Sequence, residues 1–109
     1  MTIQPSAHEE DIQRIFGDSK AAILANRGIL TASASVDSAT SYFVRLENCC
    51  RAQTLAETAA RGRGGAPVPI GKDECDFTWD KTGDESHGWA LAIPYFARVD
   101  KQTGGSYKA

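Results

Sequence analysis

The sequence predicts a mixed α/β fold of the α+β kind, in which an antiparallel strand pair packs against one long helix and short helices follow at the C-terminus. Apolar runs at residues 21–25 and 29–34 predict the two strands, because a short polar break separates them. An apolar period of three to four residues beginning at Ala39 predicts the long helix. The length of 109 residues, with 41% hydrophobic content, is typical of one small domain.

A short amphipathic helix is predicted before the strand pair, because Ile12 and Phe16 have helical spacing and Gly17 marks a helix end. The first strand run is continuously apolar, so we expect it to be buried on both faces. The break at residues 26–28 is short enough for a tight turn between antiparallel strands. Arg27 would lie at the apex of this turn.

The long helix has clear start and stop signals. Ser35 is suited to cap its N-terminus, and Asp37 places a negative charge in the first turn, where it complements the helix dipole. The apolar period continues to Ala59, which predicts a helix of about 24 residues. The glycine-rich stretch at residues 61–65 could be a flexible helix exit or a phosphate-binding loop. The helix exit is favoured, since no strand precedes the stretch and no Gly-Lys-Ser/Thr motif follows it.

The C-terminal third begins with two prolines that bias residues 66–70 to an extended backbone. Residues 72–81 then predict a short helix with acidic residues near its start. Pro94 is expected in the first turn of a separate terminal helix, because proline interrupts a helix interior. The predicted organisation is a leader at residues 1–7, one core domain at residues 8–100 and a flexible tail at residues 101–109.

Composition and charge exclude several classes of partner. Twelve basic residues against fourteen acidic residues give a formal net charge of -2, without a basic block, which disfavours nucleic acid and anionic membranes as partners. No apolar run approaches the ~20 residues that a membrane span needs. The first residues lack the order of a secretory signal, and the three cysteines contain no C-x-x-C pair. We therefore expect a cytoplasmic protein.

Several motifs occur in a particular order along the chain. They are GDSKAAILANRGILT at residues 17–31, VDSA at residues 36–39, LENCCRAQ at residues 46–53, PVPI at residues 67–70, GW at residues 88–89 and PYF at residues 94–96. In this order they resemble the C-terminal half of the class II aldolase/adducin domain, where the first motif typically contains Asn-His-Gly-Leu-Leu-Thr. The resemblance covers roughly residues 8–100, and it implies a truncated half domain.

The resemblance also implies where a metal would be held. In the family a divalent metal, usually zinc, is bound by a His-x-His pair in the first half of the domain and by the histidine of Asn-His-Gly. The matching position here is Arg27, whose guanidinium has no free lone pair. His8 and His87 have no paired spacing. We therefore expect neither a bound metal nor another cofactor.

The first functional hypothesis is a metal-independent enzyme that derives from an aldolase-like ancestor and acts on a small carbonyl-containing substrate. Its reaction would be of the lyase or cyclase type, such as aldol or retro-aldol chemistry, dehydration or cyclisation in specialised metabolism. Arg27 would stabilise an enolate or oxyanion in place of the metal. The other predicted catalytic residues, which can transfer protons, are Tyr42, His87 and Tyr95. The predicted substrate-binding residues are Asn26, Gly28, Trp89 and Phe96.

Two alternatives stay open at the level of sequence. The chain could be a non-catalytic, adducin-like module for oligomerisation or protein interaction, with Arg27 as a solvated turn residue. It could also be a fragment of a longer protein. Under either functional hypothesis, a half domain exposes a strand edge and an apolar face. We therefore expect a homodimer or a higher homo-oligomer.

Overall fold

The computed structural model describes residues 2–3 and 9–108, which form one small sheet and four helices. In chain order the elements are β1 (Thr2–Ile3), α1 (Glu9–Phe16), β2 (Ala21–Leu24), β3 (Gly28–Thr31), α2 (Val36–Gly62), α3 (Lys72–Thr82) and α4 (Glu85–Thr103). The mixed α/β class and the antiparallel strand pair predicted from the sequence are confirmed. No helix in the described ranges combines the length and apolar character that a membrane span requires.

The sheet has the order β1-β2-β3, with β2 in the middle. β2 pairs antiparallel with β3, so that Ala22 lies opposite Leu30, and a tight turn at residues 25–27 joins the two strands. β1 pairs parallel with the other edge of β2, placing Thr2 opposite Ile23. The stretch assigned to a leader from sequence therefore contributes a strand, because it satisfies backbone groups along the free edge of β2.

The expectation that the first strand is buried on both faces is wrong for this structure. Ala22 is buried, with 1% of its surface exposed, whereas the neighbouring Ile23 is 40% exposed. Successive side chains of a strand point to opposite faces, and α2 packs against β2 and β3. Among the described residues, one face of the strand is thus covered and the face of Ile23 is open to solvent.

Helix α2 is the longest element, and its 27 residues correspond to a length of about 40 Å. The predicted cap is confirmed: Ser35 Oγ accepts a hydrogen bond of 3.1 Å from the backbone N–H of Ser38. The helix ends at Gly62, and Gly64 then takes a left-handed conformation with φ of +73°. The glycine-rich stretch is therefore a helix exit, as the sequence favours.

Helix α4 packs against α2 through residues with little or no side chain. The buried residues Gly88 and Ala92 of α4 lie one helical turn apart, and a Cβ at Gly88 would approach Cε1 of Tyr42 to 2.8 Å. Glycine at this position therefore lets the ring of Tyr42 lie directly against the backbone of α4. This contact holds the two helices together near the N-terminus of each.

The predicted position of Pro94 is wrong, because α4 begins at Glu85 and Pro94 lies inside it. The helix begins earlier because Asp84 caps it, accepting a 2.8 Å hydrogen bond from the backbone N–H of His87. A helix of 19 residues replaces the predicted short terminal helix. Packing on α2 in the turns before Pro94 offsets the backbone hydrogen bond that proline removes.

Helix α3 matches the predicted segment, but none of its residues is buried. It lies between Gly71 and Gly83, which cap its two ends. The segment assigned to a flexible tail, residues 101–109, begins inside the last turn of α4, which ends at Thr103. Beyond the helix, Lys108 forms a 3.1 Å ion pair with Asp100.

Candidate functional site

The turn between β2 and β3 presents Arg27 to solvent. Asn26 has a φ of +58°, a left-handed conformation that asparagine tolerates better than most residues, and Gly28 has a φ of +102°. The backbone N–H of Arg27 donates a 3.1 Å hydrogen bond to the carbonyl of Leu24, which closes the turn. All three predicted residues of the turn, Asn26, Arg27 and Gly28, are exposed. Within residues 2–3 and 9–108 the guanidinium of Arg27 has no hydrogen-bond or ion-pair partner, so it is available to an anionic group.

Tyr42 occupies a different environment from Arg27. Its side chain is buried, and its hydroxyl donates a 3.3 Å hydrogen bond to the backbone carbonyl of Asp84. The ring lies against Gly88. Tyr42 thus joins α2 to the start of α4, and its hydroxyl would have to leave the carbonyl of Asp84 to exchange a proton with a substrate.

The other predicted site residues, His87, Trp89, Tyr95 and Phe96, lie on α4. His87 and Phe96 are half-buried, whereas Trp89 and Tyr95 are exposed by 49% and 41%. Trp89 and Phe96 are seven residues apart and therefore share a helix face. The structure brings Tyr42 next to the first turn of α4, which carries His87. In the described chain, no hydrogen bond or ion pair joins Arg27 to a residue of α4.

A cluster of polar residues that sequence reasoning missed joins the β3–α2 loop to α4. Glu85 accepts hydrogen bonds from the hydroxyl of Ser33 and, at 2.9 Å, from that of Ser35. The Oγ of Ser38 lies 2.5 Å from Glu85 Oε1. We call Ser33, Ser35, Ser38 and Glu85 the serine–glutamate cluster. The serines are close in sequence, but Glu85 is about fifty residues away, so no local pattern indicates the partner.

The serine–glutamate cluster favours the ionised form of Glu85. The hydrogen bond from Ser33, followed by that from Ser38, lowers the pKa of this carboxyl, and the nearby charge of Lys20 contributes in the same direction. Glu85 also lies at the N-terminus of α4, where a negative charge complements the helix dipole. The cluster therefore ties the starts of α2 and α4 together through one charged group.

A cavity of about 370 Å³ lies between α3, α2 and the start of β2. Its lining includes Lys20, Tyr42, Arg45 and Trp79. The Lys20 ammonium lies 4.4 Å from the ring centroid of Trp79 and 5.0 Å from that of Tyr42, and it donates a hydrogen bond to the carbonyl of Gly83. We call this space the Lys20 cavity. Of the residues predicted from sequence it includes Tyr42 alone, and Arg27 is not in its lining.

The residues of the described chain do not fit the family's metal site. No group of three or more His, Cys, Asp or Glu residues able to hold a metal occurs within the ranges that the structure describes. The guanidinium of Arg27 stays protonated and has no lone pair to donate. His8 lies outside the described residues. No chemical step of this chain is therefore assigned to a metal.

Comparison with known proteins agrees with the motifs and the fold. The family model "Class II Aldolase and Adducin N-terminal domain" matches residues 1–54. The chain is 36% identical over 70 residues to a 4-hydroxy-3-prenylphenylpyruvate oxygenase/4-hydroxy-3-prenylbenzoate synthase from Streptomyces roseochromogenus subsp. oscitans. It is 33% identical over 70 residues to the decarboxylase NovR from Streptomyces niveus. Each match covers 64% of this chain and 24% of the relative.

The structural comparison extends over nearly the whole chain. L-fuculose 1-phosphate aldolase from Glaciozyma antarctica PI12 superposes with a TM-score of 0.85 and 31% sequence identity. The superposition covers 99% of this chain but 41% of the aldolase. The chain thus spans about a quarter of the curated relatives and less than half of this solved structure. Motifs, family model and fold agree, and the chain belongs to the class II aldolase and adducin family.

Proposed function

We propose that this chain belongs to an aldolase-type enzyme of specialised metabolism that acts on a small carbonyl-containing molecule without a metal. The observation that carries the proposal is the exposed turn at residues 26–28. At the position where the family resemblance expects a metal-binding histidine, this turn presents a guanidinium that has no side-chain partner among residues 2–3 and 9–108. The relatives are named for an aldolase, a decarboxylase and an oxygenase of a phenylpyruvate, and these activities concern bonds next to carbonyl or carboxyl carbons.

Arg27 would supply the electrostatic part of the reaction. Cleavage of a carbon–carbon bond next to a carbonyl moves an electron pair toward the carbonyl oxygen and forms an enolate. A guanidinium donates paired N–H groups to such an oxyanion and keeps its own proton. Asn26 and Gly28 would fix its position, and their exposed backbone could contact the substrate.

Proton transfer and substrate contact require α4. His87, Tyr95 and Tyr42 carry the titratable groups that we assign to proton transfer, and Trp89 and Phe96 offer apolar surface to the substrate. Within the described residues, no hydrogen bond or ion pair joins these residues to Arg27. We therefore propose a homodimer or higher homo-oligomer in which subunits complete one another's sites.

Exposed apolar surface supports self-association. Large side chains on α4 and on the second half of α2 remain accessible, among them Trp89, Ile93, Val99 and Leu55. Exposed large apolar side chains can be buried by association with another subunit. Light scattering at micromolar concentration should give a dimer or a larger species, and a stable monomer would contradict this part of the proposal.

The activity test compares two arginines. Arg27→Ala should lower turnover by about 10²- to 10³-fold, the loss typical of one removed oxyanion donor. Arg27→Lys should recover part of this loss, since lysine keeps the charge but not the planar fork. Arg51→Ala is the matched control, because Arg51 is exposed on α2 and pairs with Glu47 at 3.4 Å. Product formation from a panel of small 2-oxo acids and aldol substrates would be followed by mass spectrometry.

Two results would overturn the proposal. Full activity of Arg27→Ala would remove Arg27 from the mechanism. One zinc ion per chain in elemental analysis, with activity lost on chelation, would contradict metal independence.

We also propose a cytoplasmic location, which agrees with the free thiols of Cys49, Cys50 and Cys75.

An adducin-like interaction module is the second candidate. The observation that favours it is the small core: the buried hydrophobic residues of the described chain are Ala22, Tyr42, Ala60 and Ala92. In that case Arg27→Ala would change no enzymatic rate, and substitution of exposed apolar residues on α4 would abolish assembly.

A further inference from the structure

We propose that the Lys20 cavity binds a small aromatic acid, with the carboxylate beside Lys20 and Arg45 and the aromatic ring against Trp79. This ligand site lies at the other end of β2 from the proposed catalytic turn, because Lys20 immediately precedes β2 and Arg27 follows it. It shares only Tyr42 with the residues that we assign to proton transfer. The inference therefore does not rest on the proposed function.

The size and lining of the cavity suit a small planar molecule. Its volume of about 370 Å³ lies in the range of ligand pockets. The walls are mostly apolar, with Ala21 from β2, Tyr42 from α2, and Ile70 and Trp79 from the α3 side. Trp79 is 61% exposed in spite of its position at the cavity. A bound ring would cover apolar surface that the chain itself leaves open.

Charge decides what kind of planar molecule fits. Lys20 and Arg45 both line the cavity. Both side chains donate hydrogen bonds to uncharged groups at the C-terminal end of α3. Lys20 donates to the carbonyl of Gly83, and Arg45 donates to the carbonyl and the hydroxyl of Thr82, both at 3.3 Å. Both side chains retain further N–H donors.

The charge of Lys20 acts on Glu85, whose carboxylate is already held by the serine hydroxyls of the serine–glutamate cluster. Among the described residues, the cavity lining contains Lys20 and Arg45 but no Asp or Glu, so it has an excess of positive charge. A cationic ligand is disfavoured, because the ammonium of Lys20 and the guanidinium of Arg45 in the cavity lining would repel it. A carboxylate would complete the charge balance with charge-assisted hydrogen bonds.

Helix α3 forms the side of the cavity through which a ligand would enter. The helix has no buried residue, and glycine caps both of its ends, Gly71 and Gly83. Its link to the rest of the chain includes the hydrogen bonds from Lys20 and Arg45 to its last turn. Small movements of α3 would therefore open the cavity without disturbing the contact between α2 and α4.

The first experiment measures binding of 2-naphthoate and its neutral analogue 2-naphthamide to the full chain by isothermal titration calorimetry. The acid should bind about tenfold more tightly than the amide, since its contacts with Lys20 and Arg45 are charge-assisted. Lys20→Met and Arg45→Met should each remove this preference while the amide still binds. Lys81→Met is the control, because Lys81 also lies over an aromatic ring, that of Phe77 at 5.7 Å, but outside the cavity lining.

The second experiment locates the bound molecule with cysteine chemistry. Cys75 lines the cavity, whereas Cys49 is exposed on α2 and is absent from the lining. Saturating 2-naphthoate should slow alkylation of Cys75 by iodoacetamide several-fold and leave the rate at Cys49 unchanged, as read by peptide mass spectrometry. Trp79→Ala should abolish the protection, and this variant keeps both cationic groups.

Three outcomes would overturn the proposal. The first is equal affinity of the chain for 2-naphthoate and 2-naphthamide. The second is a loss of acid binding in Lys81→Met as large as in Lys20→Met or Arg45→Met. The third is protection of Cys49 from alkylation together with Cys75. If Lys20→Met or Arg45→Met displaces α3, which the alkylation rate of Cys75 without ligand would reveal, the acid–amide comparison in the parent chain and Trp79→Ala decide the result. Failure of Arg27→Ala to lower turnover would leave these binding results unaffected.

Discussion

Helices α3 and α4 are neighbours in sequence, but they are held to the chain in different ways. α4 packs closely on α2, with the backbone of Gly88 against the ring of Tyr42 and the carboxylate of Glu85 bound by serines. α3 has no buried residue, and its last turn receives hydrogen bonds from Lys20 and Arg45. Close packing fixes position more firmly than a few part-exposed hydrogen bonds do. α4 is therefore held more firmly to the rest of the chain than α3 is.

Substitution of Gly88 should give the largest loss of stability. In Gly88→Ala the new Cβ would lie 2.8 Å from the ring of Tyr42, and overpacking of this kind typically costs about 1–3 kcal/mol. Gly62→Ala is the control, because a Cβ there meets no atom within 4 Å and alanine favours the helix. Chemical denaturation measures both changes. If Gly88→Ala left the free energy of unfolding unchanged, the packing of α4 on α2 would be loose. α4 would then not be held more firmly than α3.

Glu85→Gln should lower the melting temperature at neutral pH and weaken the acid dependence of stability. The serine hydroxyls lower the pKa of Glu85 in the folded state below its ordinary value of 4.5. A lowered folded pKa stabilises the protein above the unfolded pKa, and this contribution is lost as the pH falls through the folded pKa. Between neutral pH and pH values below 4.5, the melting temperature of Glu85→Gln should therefore fall less than that of the parent chain. Glu47→Gln, on the exposed face of α2, should retain the parent profile.

Arg45→Met should loosen α3 without a comparable effect on α4. Removal of the hydrogen bonds to Thr82 should speed amide exchange in α3 by up to about tenfold, since bonds to charged groups contribute about 1.5–3 kcal/mol before solvent screening. Amide exchange in α4 should change less. Arg51→Met provides the control, because Arg51 is on the same helix but pairs with Glu47. Equal acceleration in both helices would mean that they open as one unit.

The smallest effect is expected at the C-terminal end of the described chain. The hydrogen bond from Tyr107, and then that from Lys108, lowers the pKa of Asp100. Tyr107→Phe should raise this pKa toward its ordinary value of 3.8, with little change in melting temperature, because the groups are exposed. A titration followed by NMR tests the shift. A large loss of stability would show that this turn holds α4 in place.

Local signals predicted most elements, while the exceptions depended on distant residues. The serine cap of α2, the turn around Arg27 and the glycine stop at Gly83 each act over a few residues, so the sequence specifies them directly. The helical position of Pro94 was missed because packing of Gly88 on α2 outweighs the local preference of proline. Exposure of Ile23 was missed because an apolar run does not show which elements will cover it.

The sequence by itself indicated the family and the mixed α/β class, since both depend on residue identity and order. It also placed an arginine, Arg27, where the family resemblance expects a metal-binding histidine. Only the tertiary structure decided which distant groups meet. Lys20 and Gly83 are 63 positions apart, and Glu85 lies 47 to 52 positions from its serine partners. Contacts of such separation arise from the packing of whole elements and leave no periodic trace in the chain. The Lys20 cavity and the serine–glutamate cluster are therefore properties of the fold.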